Sequence, residues 1–151
     1  MDRDGRNLHA VQRVIETGQD CIRGERGPFE DAVAEFCASD IVVAPSSALA
    51  SGDVGPYRGR EMLLEHHRAV GRRWEVFRIE VEEYVDVPPS TVVVLGKVAA
   101  RREDGSGYAM EIGIVNHLRD GRIVSMHSYQ SKRRALEQAG GAELVARVAS
   151  E

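Results

Sequence analysis

The chain has 151 residues, 42% of them hydrophobic and 29% charged, with a net charge of −4. That length predicts one domain over 1–151 with a sizeable core, and the mixed charge excludes a disordered chain. An acidic balance without an aromatic-plus-basic ladder argues against nucleic acid as a partner.

The first residues are polar and charged, and no apolar run is long enough for a signal peptide or a membrane span. A cytoplasmic protein with no membrane partner is the expectation. Cys21 and Cys37 stand apart, without CxxC spacing, and read as reduced thiols. Arg72-Arg73, Arg101-Arg102 and Lys132-Arg133-Arg134 fall at predicted element ends, where solvated termini account for them.

Taken in order, Leu8, Val11, Ile15 and Ile22 recur at helical spacing and predict a first helix over 7–22. Gly24–Pro28 breaks it, and Pro28 suits the start of a second helix with Phe29, Val33, Phe36 and Cys37 on one stripe. Asp40–Pro45 is a β-branched run closed by proline, hence a strand. The small-residue stretch Ser46–Pro56 reads as a loop at the rim of a site or over it.

A third helix runs from the Tyr57–Arg60 entry to Arg72, with Leu63, His66, His67 and Val70 on a core-facing stripe. Trp74–Val87 alternates as a strand, Pro88-Pro89 turns the chain, and Thr91–Arg102 forms the next strand. Two further apolar runs, Tyr108–Leu118 and Ile123–Tyr129, flank Asp120-Gly121. That dipeptide predicts a two-residue hairpin turn, which needs positive φ at both positions. Lys132–Glu151 reads as a C-terminal helix interrupted at Gly140-Gly141.

A two-residue turn pairs Leu118 with Ile123 and Gly113 with Ser128. One hairpin face then carries Glu111, Gly113, Val115, Met126 and Ser128, and the other carries Ile114, Asn116, His127 and Tyr129. A bulge would exchange the faces beyond it. The fold class expected is α+β: a curved antiparallel sheet packed around the N-terminal helices, leaving a conical pocket.

Asp40-Ile-Val-Val-Ala-Pro, Tyr57-Arg-Gly-Arg-Glu and Arg119-Asp-Gly-Arg-Ile before Met126-His-Ser-Tyr resemble the SnoaL-like branch of the NTF2-like superfamily. The resemblance implies that family's cone-shaped fold over nearly the whole chain. Its activities range over steroid isomerases, epoxide hydrolases, polyketide cyclases and dehydratases, so fold alone does not name a reaction. Where steroid isomerases keep an Asp base, a Tyr and a second acid, this chain has Ala44, Val14 and Gly113. Where epoxide hydrolases keep a catalytic Asp, it has Ser128.

The resemblance therefore implies a cofactor-free isomerase, cyclase, dehydratase or hydrolase acting on a small apolar, polyketide- or terpenoid-like molecule. It equally allows a binding or dimerisation module that has lost the family's acids. Glu111 and His67 are the candidate catalytic pair, as titratable groups on the hairpin and on the third helix. Ala44, Tyr57, Leu63, His66, Trp74, Gly113, Val115, Met126 and Ser128 are the candidate ligand-binding residues. The five histidines lack a metal-ligand spacing, and neither a metal nor a cofactor is expected. Pairing of relatives through the outer sheet face implies a homodimer, with Ile114, Asn116, His127 and Tyr129 at the contact.

Overall fold

The computed structural model describes residues 5–45 and 56–149. Among these, the chain order is α1 (Arg6–Ile22), α2 (Gly27–Phe36), β1 (Cys37–Ala44), β2 (Tyr57–Arg58), α3 (Arg60–Arg73) and β3 (Val76–Val87). Then follow β4 (Thr91–Arg101), β5 (Gly107–Arg119), β6 (Arg122–Tyr129) and α4 (Lys132–Ala149). The expected rim loop lies, over 46–55, outside the described residues.

The architecture is α+β, with the six described strands in one sheet ordered β2-β1-β6-β5-β4-β3. Strands β3 to β6 form an antiparallel meander, as their short polar or proline connections require. One pair departs from the antiparallel expectation, because β1 runs parallel to β6. Helix α2 passes directly into β1, which enters the sheet with Cys37 beside Ile123 at the start of β6.

The hairpin turn forms where the Asp-Gly dipeptide places it, with Asp120 at φ 54 and Gly121 at φ 77. Leu118 pairs with Ile123, but His117 pairs with Ser125, so Val124 is an extra residue in β6. Beyond this bulge Ile114 faces Ser128, and Gly113 faces Tyr129. The consequence is a change of side. Met126 and Ser128 now share a face with Ile112 and Ile114, and not with Glu111, Gly113 and Val115.

The inner face packs on α1 and α3. Val92, Val94, Ile112 and Ile114 from the sheet form one buried cluster with Val11 and Val14 of α1 and Leu63 and Val70 of α3. Each such side chain taken fully out of water contributes about 1.5–3 kcal/mol. Gly71 allows α3 to close on the end of α1, since a Cβ there would stand 2.6 Å from the Ile22 carbonyl oxygen. Arg60 fastens the start of α3 to β1, donating through Nε and Nη2 to the Cys37 carbonyl at 3.0 and 2.7 Å.

The helices do not all lie on one side of the sheet. Helix α4, broken by Gly141 at φ 73, covers the outer face with Ala135, Leu136 and Leu144 against Val93, Leu95 and Val115. Gly113 makes that packing possible, because a Cβ there would lie 2.4 Å from the Ala135 Cβ. Among the described residues no helix is long and apolar enough to cross a membrane.

Candidate functional site

A cavity of about 60 Å³, partly open to solvent, lies between the inner sheet face and α1 and α3. Its walls are Val14, Ile15 and Ile22 from α1, Leu63 and Val70 from α3, and Phe77, Ile79 and Ile114 from the sheet. Gln19, His66, His67 and Ser128 are the polar side chains among the described lining residues, and none of those residues is an acid, a lysine or an arginine. An uncharged wall of this kind favours an uncharged occupant, because a bare charge taken out of water needs a partner.

Gln19 is committed to the frame. Its Oε1 accepts from the Ile79 N–H at 3.2 Å, and its Nε2 donates to the Ile79 carbonyl. Strand β3 is an edge of the described sheet, so this side chain satisfies backbone groups that no described strand pairs with and joins α1 to β3 beside the cavity.

The two histidines of α3 diverge as neighbours on a helix must. His67 packs its ring on Phe29, centroids 4.4 Å apart, and stands edge-on to His66 at 5.7 Å. His67 Nδ1 lies 3.0 Å from the Leu63 carbonyl oxygen. A carbonyl only accepts, so the proton sits on Nδ1 and leaves Nε2 a bare acceptor. That nitrogen abuts Gly18, another lining residue, where an added Cβ would come within 2.9 Å of it. Burial, and secondly the neighbouring His66, press the His67 pKa down to about 3 against the upward pull of the Leu63 bond. Burial alone lowers His66 to about 4. Both rings are neutral near pH 7.

A family model for SnoaL-like domains matches residues 24–126. The chain belongs to the SnoaL-like family. Solved structures agree on the fold. An NTF2-like protein of unknown function from Burkholderia pseudomallei superposes with a TM-score of 0.68 at 16% identity, over 89% of this chain and 98% of that one. A putative SnoaL-like polyketide cyclase from Jannaschia sp. gives 0.68 at 16% identity, over 94% and 96%. A protein of ketosteroid isomerase-like fold from Catenulispora acidiphila, in complex with trimethylamine, gives 0.63 at 15% identity, over 87% and 92%. No curated protein matches the sequence.

Within this SnoaL-like fold, five of the residues expected at the pocket line the cavity: Leu63, His66, His67, Met126 and Ser128. The Val124 bulge sends the β5 candidates elsewhere. Glu111 is exposed on the opposite side of the sheet, where Oε1 accepts from the Lys132 backbone N–H at 3.1 Å. Its pairing with His67 across a ligand is therefore corrected: the sheet stands between them. Val115 packs under α4, and α4 crosses Gly113 too closely for a side chain there. Ala44 also faces outward, beside His127 and Tyr129, since it neighbours Val43 and Val43 faces in.

Tyr57 and Trp74 are buried but do not reach the cavity wall. Tyr57 packs its ring on His66 at 5.2 Å and so backs a lining residue. Trp74 meets Tyr108 edge-on at 5.3 Å beneath the guanidinium of Arg102, 4.9 Å from the ring centre. The lining residues missed from sequence include Gly18, Gln19, Ile79 and Ile114. Ile79 and Ile114 carried a signal, the alternation that puts apolar residues inside; Gln19 carried none, since its role is to a strand 60 residues away. The expected contact set also divides, because Ile114 and Asn116 are buried on the inner side while His127 is exposed and stacks on Tyr129 at 4.5 Å.

Proposed function

We propose that this SnoaL-like chain binds a small, uncharged, mostly apolar molecule in the cavity between α1, α3 and the sheet. The observation that carries the reading is the wall itself: among the described residues it is mostly hydrocarbon with four polar side chains, two of them histidines kept neutral by burial. Binding without catalysis is favoured over proton transfer. Glu111 is on the other side of the sheet, and a base whose pKa is near 3 holds few protons it could pass on at pH 7. A polyketide- or terpenoid-like skeleton suits such a wall. The test is a titration of the protein with small neutral hydrocarbons and alcohols, followed by backbone amide NMR. Shifts should concentrate at Val14, Leu63, His67 and Ile114; shifts confined to α4 or to the Trp74 region would reject the reading.

A cofactor-free isomerase, cyclase, dehydratase or hydrolase is the second reading, favoured by one observation, the bare His67 Nε2 at the cavity wall. The fold likeness to a putative polyketide cyclase is compatible with it. Turnover of an identified substrate that survives His67→Phe would dismiss that role. We further propose pairing of two copies through the part of the outer sheet face around Ala44, His117, His127 and Tyr129. Light scattering at micromolar concentration should give twice the chain mass.

A further inference from the structure

We propose that the cavity recognises its ligand through a hydroxyl group that donates a hydrogen bond to His67 Nε2, so that neutral phenols or alcohols are preferred over hydrocarbons and ethers of the same size. The inference rests on the binding role proposed above and adds the class of molecule and the residue that selects it.

Three features converge on this one atom. The Leu63 carbonyl fixes the proton on Nδ1, which turns Nε2 into an acceptor that has nothing to donate. The ring cannot readily turn away, being packed on Phe29 at 4.4 Å. Nε2 lies against Gly18, itself a lining residue, where even an added Cβ would stand only 2.9 Å away, so a glycine is what lets the ring sit at this wall. Gln19, the other large polar group of the wall, is occupied by Ile79 and does not compete.

Complementarity then sets the ligand's chemistry. A molecule with a donor regains at Nε2 the bond it loses to water, whereas an ether or carbonyl would set lone pair against lone pair. Anions find no described cation in the wall and cations no carboxylate, so both leave water uncompensated. The cavity, about 60 Å³ and partly open to solvent, has room for more than one water-sized group, enough for a hydroxyl and its attached carbons. The rest of the ligand extends towards the open side of the cavity.

The experiment compares phenol, anisole, toluene, benzoate and benzylammonium at pH 7 by ligand titration, read at the His67 ring nitrogens and the cavity amides. Phenol is expected to bind about three- to tenfold more tightly than toluene or anisole, the range one net hydrogen bond supplies. The two charged probes should leave the cavity signals unmoved. In the free protein the ring ¹⁵N pair should show the proton on Nδ1, and phenol, unlike toluene, should shift Nε2 towards the hydrogen-bonded value. In His67→Phe the advantage of phenol over toluene should vanish. Equal binding of phenol, anisole and toluene overturns the hydroxyl preference and leaves the apolar pocket standing. A proton found on Nε2 in the free protein also overturns it, and that reading needs no variant. Binding of no probe up to its solubility overturns both proposals.

Discussion

Stability should fall on mild acidification because of two rings in the cavity wall. The ordinary histidine value is 6.5, and the folded protein holds His66 near 4 and His67 near 3. Below pH 6.5 the unfolded chain takes up protons at both rings that the folded chain refuses, so acid favours unfolding. The contribution is complete above 6.5 and is lost as pH falls from there towards the folded values. At pH 5.5 an unfolded histidine is about nine-tenths protonated, which amounts to about 1.2 kcal/mol per ring relative to pH 7. That figure depends little on the folded values as long as they lie below about 4.5. His66, 9% exposed, should give nearly all of it, while His67, whose ring edge borders the cavity, gives up a part to water. Two rings together should therefore remove about 2 kcal/mol between pH 7 and 5.5. Urea unfolding at both pH values would measure the wild type, His66→Phe, His67→Phe and the double variant. Each substitution changes stability at every pH, but only the slope between the two pH values is read, so packing costs cancel. A double variant with the wild-type slope would refute the account.

Gly113→Ala should destabilise by about 1–3 kcal/mol through overpacking against Ala135, and Ala135→Gly in the same chain should restore part of the loss, both read by urea unfolding. A neutral Gly113→Ala would mean that α4 does not lie where it is described. Gln19→Ala removes two bonds to Ile79 and should cost about 1–2 kcal/mol, with faster hydrogen exchange at the Ile79 amide as the local signature. Cys37 is fully buried with its thiol pushed up to about 12, and burial raises the Cys21 thiol too. Iodoacetamide at pH 8 should leave Cys37 unmodified until urea unfolds the chain; rapid native labelling would place it at the surface.

Much of this protein was legible in single stretches of sequence, wherever a few adjacent residues carry the whole physical requirement. Asp120-Gly121 specified its turn because only such residues accept two positive φ values in a row. The Leu63–Val70 stripe put His66 and His67 against the core because helical period alone decides which residues share a face. The kink in α4 likewise followed from Gly141. Tertiary structure decided the rest. Whether β6 inserts Val124 as a bulge is worth little locally, since both registers satisfy the same turn, but it moves every following side chain to the other face. Burial of Ile112 and Ile114 against α1 and α3, of Val115 under α4, and of Met126 beside Val43 chose between the registers. That sum of contacts from four distant segments put Glu111 in solvent and left the cavity without a carboxylate among its described walls. Neighbours in sequence set turns and periods, whereas the choice of face belongs to whatever the rest of the chain presses against it.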